Sequence, residues 1–443
     1  MHHSNSTESN GGNLRTTPPK QRPRVFYGWW LLLALCVTSF YVAGTFWWGF
    51  SVFFPAILDE FGWSRTEISF ALTLQGLEGV GVAPLVGLLV DKVGTRKLML
   101  FGLTTAGLGL VLLSQTNSLW WFYASFVVAS IGSSVGTGIV TQSLVVRWFQ
   151  RRRGTATTIL LMMPGLGATL IIPLLSLSID SFGWRETLLF IGLGLWMVAV
   201  PVLMVVRELP ESLGLLPDGA TPDGLNIQPR GGIGEAQLED RSLTLAEALR
   251  LPAFWFLTAT FTIWSIATSG VQAHLFVALF GIGLTKSKAA ALTALLPGIS
   301  LVGRFGFGIL SDRLNKRNLL LATGAAMTVG MASLAALFLY PSRTWLTIPF
   351  LLLYSIGFGG SIPLRVVISG DYFGRRYFPA IYGTMQSVTA AGGVVGPLFA
   401  GWVFDTTGSY FLAFAASFAL LLISLPLVLA VSDRQARGRV VNR

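Results

Sequence analysis

The sequence contains little charge and almost no cysteine. Only 12% of its 443 residues are charged and 53% are hydrophobic, whereas a soluble domain has about 25% charged residues. The single cysteine, Cys36, excludes an intrachain disulfide framework. Residues 1–24 are polar and proline-rich, and the apolar run that follows is too long for the core of a cleavable signal peptide. These features indicate an integral membrane protein.

The sequence lacks the residue patterns that several classes of function require. The formal net charge of +11 is compatible with a nucleic-acid partner, but the lysines and arginines lie between apolar runs, not on one exposed face. We find no Ser/His/Asp, metal-ligand or nucleotide-binding constellation. The pair His2-His3 is too short to indicate a metal site. We therefore expect no enzyme activity, no cofactor, no metal and no nucleic-acid partner.

Twelve apolar runs are each long enough to cross a bilayer as a helix. They lie at about 27–55, 66–90, 98–116, 119–148, 154–179, 185–206, 251–280, 287–310, 318–339, 345–371, 378–404 and 409–431. The predicted fold is an all-α multi-pass membrane protein with two pseudo-symmetric six-helix bundles. The predicted units are a disordered cytoplasmic tail (1–24), a first bundle (25–207), a cytoplasmic linker (208–250), a second bundle (251–431) and a cytoplasmic tail (432–443). We expect a short amphipathic helix at Leu243–Leu251, at the end of the linker.

The basic residues between the runs predict the orientation of the chain. With a cytoplasmic N-terminus, roughly 23 of them fall on the cytoplasmic face and roughly 5 on the other face. Positive loops favour the cytoplasm, so we expect a plasma-membrane protein with both termini in the cytoplasm. Three arginines remain inside apolar runs: Arg147, Arg304 and Arg365.

The two halves of the sequence repeat each other. The segment GLLVDKVGTR at Gly87–Arg96 returns 221 residues later as GILSDRLNKR at Gly308–Arg317. Parallel six-helix halves with a site at their interface are typical of transporters. We expect Asp91 and Arg96, with Asp312 and Arg317, to latch the cytoplasmic ends of neighbouring helices.

The segment Gly87–Lys97 resembles the loop-2/3 signature of the major facilitator superfamily. Within that superfamily the chain is similar to the monocarboxylate porter and oxalate:formate antiporter group, through Gly28-Trp29, Phe61–Ser64 and the RWFQRRRGTA segment at Arg147–Ala156. The resemblance covers about residues 25–430. It implies transport of a small organic anion by alternating access, with Arg304 in helix 8 anchoring the substrate carboxylate.

The chain departs from the patterns of that group at three places. Animal monocarboxylate transporters carry an acidic residue four positions before the helix-8 arginine, and here that position is Ser300. Their helix-1 lysine falls near Trp48. The helix-11 lysine of the oxalate antiporter has no counterpart, because Tyr382–Ala400 contains no basic residue.

Two arginines are predicted near the middle of the membrane. Arg304 lies eight residues before Asp312, roughly 12 Å along a helix, and a guanidinium binds a carboxylate through two parallel hydrogen bonds. The alternative is a structural arginine that is neutralised by Glu78 or caps a helix end. Arg365 is a second candidate for binding or gating, and its alternative is a surface-directed side chain paired with Asp371.

A buried acid and several polar residues complete the candidate site. Glu78 is the only acid well inside an apolar run, and it would either carry a coupled proton or pair permanently with a central arginine. His274 is a second titratable candidate, although a packing role is the alternative. Further candidate pore residues include Gln75, Gln142, Gln272, Ser300 and Gln386. Tyr41, Phe46, Trp47 and Trp48 would form either an apolar cavity wall or a lipid-facing surface.

These observations predict a secondary active transporter of small organic anions, above all monocarboxylates, with proton coupling as an option. The alternatives are an oxalate/formate-type exchanger, a dicarboxylate carrier, a multidrug efflux carrier and a non-transporting membrane sensor. Two central arginines against one acid argue against a lipophilic cation. The expected partners are the anion, a proton and membrane lipid, and the expected oligomeric state is a monomer.

Overall fold

The computed structural model describes residues 26–219 and 243–431, and the described chain is almost wholly helical. The predicted tails and most of the linker lie outside these residues. Twelve long helical segments are present: α1 Tyr27–Trp47, α2 Arg65–Val93, α3 Thr95–Ser114, α4 Leu119–Trp148, α5 Arg153–Phe182, α6 Trp184–Val205, α7 Pro252–Gly281, α8 Lys286–Leu310, α9 Lys316–Leu339, α10 Thr344–Phe373, α11 Phe378–Thr407 and α12 Phe411–Ala430. Short helices at Phe54–Phe61 and Leu245–Leu249 follow α1 and precede α7.

Eleven helices of the described chain are long and apolar enough to cross a membrane. The remaining long helix, α2, has 29 residues and coincides with the second predicted apolar run at about 66–90. The prediction of an all-α multi-pass fold is confirmed.

Each half of the molecule packs around its own hydrophobic core. Phe122 and Phe126 are fully buried in the first bundle, and Trp264 and Tyr354 are fully buried in the second. Between the bundles, α2 packs against α11 and α5 packs against α8. These four helices therefore form the interface between the bundles, where a cavity or a closing contact would lie.

Local sequence signals set the helix ends. The Ser64 side chain accepts from the Glu67 backbone N–H while the Glu67 carboxylate accepts from Ser64, which forms a capping box at the start of α2. Thr244 and Glu247 form the same box at the start of Leu245–Leu249, within the predicted amphipathic helix Leu243–Leu251. Hydrogen bonds from the Thr244 backbone and hydroxyl lower the pKa of Glu247.

Two helices of the first bundle are irregular near their middle or end. α4 is interrupted between Leu119–Gly136 and Ile139–Trp148, where Gly138 has φ of 54° and ψ of −115°. Glycine adopts this backbone conformation without the steric penalty of a Cβ atom. The end of α1 is a π-helical turn at Ala43–Trp47. Such irregular turns are frequent at functional sites.

Candidate functional site: a cavity between the bundles

A cavity of about 670 Å³ lies between the bundles at mid-helix level. Residues of α1, α2, α4 and α5 line it, and Gln386 and Ala390 of α11 contribute from the second bundle. The first bundle therefore forms most of the wall. Of the predicted pore residues, Gln75, Gln142 and Gln386 line this cavity.

The interruption of α4 supplies much of the polar wall. Thr137, Gly138, Thr141 and Gln142 all line the cavity. Helix ends carry backbone N–H and C=O groups without intrahelical partners, and such ends at mid-membrane depth are tolerated where they line a cavity. The sequence reading missed Thr137 and Thr141, although the Gly136-Thr137-Gly138 triplet inside an apolar run was a signal for the break.

The apolar part of the wall comes from the end of α1 and from α5. Trp47 and Trp48 line the cavity and are 39% and 60% exposed, so the cavity extends toward the end of α1. Phe46 is buried, with its ring centroid 5.2 Å from that of Phe126. The Tyr41 hydroxyl donates to the Ile191 carbonyl on α6. Only two of the four candidate wall aromatics thus reach the cavity.

Arg304 does not itself line the cavity, but it contacts a residue that does, and it has few partners. Its Nη1 donates to the Leu161 carbonyl at 3.3 Å, and Leu161 lines the cavity. Its Nε is buried and has no hydrogen-bond partner. Within residues 26–219 and 243–431, no carboxylate forms an ion pair with Arg304. The guanidinium therefore keeps most of its donor capacity for another group.

Arg365 is enclosed by aromatic rings of α7 and does not line the cavity. Its guanidinium carbon lies 5.4 Å from the ring centroid of Phe261 and 5.9 Å from that of Trp264, which is cation–π geometry. Asp371, the acid considered as its alternative partner, instead contacts Arg153 and Lys316. Arg365 makes no ion pair in the described part of the chain.

Glu78 lies behind the cavity wall. Its Oε2 accepts hydrogen bonds from the hydroxyls of Ser130 at 2.8 Å and Ser134 at 3.1 Å, and Ser134 lines the cavity. Its Oε1 is buried without a partner. Among the described ion pairs none involves Glu78. The permanent pair with Arg304 or Arg365 is therefore not present in this conformation.

Two candidate residues are used in packing. Ser300 is 1% exposed, donates to the Pro297 carbonyl at 2.7 Å and faces α10, where a Cβ at Gly359 would overlap the Ser300 carbonyl. The two ring nitrogens of His274 lie 3.1 Å from the Tyr410 hydroxyl and 3.0 Å from the Pro397 carbonyl. Neither residue lines the cavity.

The bundles meet at one end of the molecule, which we call the motif face because Gly94 and Asp312 lie there. The Asp312 carboxylate accepts from the backbone N–H groups of Gly154 at 2.6 Å and Thr155 at 2.9 Å, across the bundle interface. It also accepts from the Thr155 hydroxyl at 2.5 Å. A carboxylate at a helix N-terminus is stabilised by the helix dipole, so Asp312 fastens α8 to α5.

Asp91 forms the equivalent contact in the other direction. Its carboxylate accepts from the Ala380 backbone N–H at the start of α11 and lies 3.4 Å from Arg147. The other two latch candidates do not cross the interface. Arg317 donates to the Val428 and Leu429 carbonyls of α12 within the second bundle, and Arg96 is exposed, with no hydrogen bond or ion pair to any described residue.

Side chains outside the predicted set also close the motif face. Arg153 of α5 pairs with Asp371 of α10, and Lys316 lies 2.5 Å from the same carboxylate. The start of the linker adds a further contact, because Glu211 pairs with Arg375 at 2.5 Å. The sequence had predicted no ion-pair partner for Arg153, Lys316 or Arg375.

Two helical bundles that enclose a polar-edged cavity and close against each other at one face have the architecture of a membrane transport protein. A model of the Major Facilitator Superfamily matches residues 35–364. The chain therefore belongs to the Major Facilitator Superfamily, and it is a transporter, not an enzyme.

Relatives of known name agree with this assignment, and a solved structure shares the fold. The chain is 28% identical over 422 residues to monocarboxylate transporter 12-B of Danio rerio, covering 90% of this chain and 86% of that protein. It is 24% identical over 377 residues to the oxalate:formate antiporter of Oxalobacter formigenes, covering 83% of each. The structure of a proton:xylose symporter superposes with a TM-score of 0.70 at 13% identity, covering 93% of this chain and 97% of that one.

Proposed function

We propose that the protein carries small organic anions, above all monocarboxylates, across the plasma membrane by alternating access. The observation that supports this most directly is Arg304, a partly buried cation beside the central cavity that has no carboxylate partner among the described residues. An unpaired charge at this depth is costly, and a substrate carboxylate would satisfy it through two charge-assisted hydrogen bonds. The names of the two relatives are consistent with such a substrate.

The charges buried between the helices favour a single carboxylate. Arg304 and Arg365 with an ionised Glu78 sum to one positive charge, which one carboxylate neutralises; of these three residues, none lines the cavity directly. Protonation of Glu78 would leave two positive charges, which suits a dicarboxylate or the cotransport of an anion with a proton. Because Glu78 is held by two serine hydroxyls and by no cation of the described chain, it is the candidate site for a coupled proton.

The motif-face contacts support an alternating-access cycle. Two hydrogen bonds join the bundles at the motif face, one between Asp312 and Gly154 and one between Asp91 and Ala380. Both have to break before the cavity can open on the motif face. With both termini in the cytoplasm, this conformation is closed to the cytoplasm. Each bundle keeps its own core during this rocking motion, so we propose that a monomer suffices.

Reconstituted protein with the variants Arg304→Ala and Arg304→Lys tests the proposal. Uptake of radiolabelled monocarboxylates into proteoliposomes should fall at least about 30-fold for Arg304→Ala, because removing one partner of a buried charge pair costs about 2–5 kcal/mol. Arg304→Lys should retain part of the uptake, since it keeps the charge but not the bidentate geometry.

Arg343→Ala is the matched control, because Arg343 contacts the ring of Tyr340 outside the cavity. Its uptake should equal that of the wild type. Unchanged monocarboxylate uptake by a correctly inserted Arg304→Ala protein would show that Arg304 does not bind the substrate. An imposed pH gradient and a trans-side counter-substrate in the same vesicles distinguish symport, antiport and uniport.

A further inference from the structure

The cavity is much larger than the smallest organic acids require. Its volume of about 670 Å³ lies within the range of about 300–1,000 Å³ that is typical of pockets for drug-sized ligands. An acid of three to six non-hydrogen atoms would leave most of this space to water. The cavity, which includes its opening toward the end of α1, therefore has room for a substrate with a bulky tail.

The walls of the cavity indicate the chemistry of that tail. Trp47 and Trp48 stand at one side, and Val42, Leu160 and Pro164 extend the apolar surface. Aromatic rings pack favourably in offset or edge-to-face arrangements against other rings. A flat aromatic or otherwise bulky apolar group would cover this surface, whereas a short hydroxy acid would leave it in contact with water.

Arg304 and the apolar wall belong to different bundles, and this arrangement sets the direction of the substrate. Arg304 belongs to the second bundle and approaches the cavity at Leu161. The two tryptophans belong to the first bundle and lie at the end of α1. A carboxylate at Arg304 and an apolar tail at Trp48 would therefore span the interface of the two bundles.

We infer that the substrate is a bulky, apolar monocarboxylate, such as an aryl-substituted acid, whose tail packs on Trp47 and Trp48. This inference rests on the proposed function, because it assigns the tail of the same carboxylate. It predicts that the protein prefers such bulky acids to acids as small as formate, acetate and lactate.

Competition in proteoliposomes tests the inference. Benzoate and phenylacetate are each compared with formate, acetate, lactate and oxalate, both as labelled substrates and as competitors. We expect the aryl acids to be transported with KM values at least about 10-fold lower than those of the small acids, because only they bury the tryptophan-lined surface.

Variants of the aromatic wall localise the preference. Trp48→Ala should raise KM for phenylacetate about 10-fold and change that for acetate little, and Trp48→Phe should restore most of the loss. Trp402→Ala is the matched control, because Trp402 is 63% exposed, close to the 60% of Trp48, but does not line the cavity.

The possible outcomes separate the two proposals. Transport of small acids with equal or lower KM than aryl acids, or an equal effect of Trp48→Ala on both classes, would overturn the inference while leaving carboxylate transport intact. If no member of the panel is transported by the wild type, the proposed function fails and the inference fails with it.

Discussion

The contact between Asp312 and the start of α5 yields a quantitative prediction for Asp312→Asn. The carboxylate accepts from the Gly154 and Thr155 backbone N–H groups and from the Thr155 hydroxyl. An asparagine keeps one acceptor oxygen, places an NH₂ group against the remaining donors and removes the negative charge from the helix N-terminus.

Asp312→Asn should destabilise the conformation with a closed motif face by about 2–3 kcal/mol relative to the conformation with an open one. Hydrogen bonds to charged groups contribute about 1.5–3 kcal/mol, and a charge at a helix terminus contributes about 0.3–1 kcal/mol. At about 1.4 kcal/mol per factor of ten, the open fraction should rise about 30- to 150-fold. Asp59→Asn is the control, because Asp59 is exposed and forms no ion pair in the described chain.

Labelling of a cavity cysteine measures this shift. A Gln386→Cys substitution in a Cys36→Ser background places a single thiol on the cavity wall. A membrane-impermeant maleimide applied from the motif face should react slowly with this protein and much faster when Asp312→Asn is added. Equal labelling rates with and without Asp312→Asn would show that the contact does not hold the face closed.

Two further substitutions test other parts of the mechanism. Glu78→Gln should abolish the dependence of uptake on an imposed pH gradient; an unchanged dependence, measured in proteoliposomes, would place the coupled proton elsewhere. Gly308→Ala should impair transport and expose the cavity from the motif face, because its Cβ would overlap the Thr158 hydroxyl of α5. Gly306→Ala, on the same helix but with open space around it, should transport normally, and equal behaviour of the two variants would contradict a close contact of α5 with α8.

The environment of the central charges was not predictable from the sequence. Arg304 and Glu78 were recognisable because each interrupts an apolar run, but the sequence left open whether they pair with each other. Two serines of α4 bind Glu78, and Leu161 of α5 contacts Arg304. Such partners lie more than 50 residues apart in the chain, so only tertiary packing selects them.

Helical periodicity was equally unable to identify the pore-facing residues. A soluble helix shows its buried face by an apolar stripe, whereas a membrane helix is apolar on the lipid side as well as on the packed side. Ser300 and Gln142 therefore looked alike in sequence, yet Ser300 packs against α10 and Gln142 lines the cavity.

The sequence alone determined the twelve helices, the repeat of Gly87–Arg96 at Gly308–Arg317 and the family, because hydrophobic length, loop charge and local motifs are properties of contiguous residues. The tertiary structure decided the rest. It showed that α4 breaks at Gly138 to line a cavity and that Asp312 caps a helix of the opposite bundle. It also left Arg304 without an acid among the described residues. The break of α4 has a local signal in Gly136–Gly138, but its position at a cavity and the partners of Asp312 and Arg304 depend on which distant segments meet. Helix propensity and hydropathy do not encode those contacts.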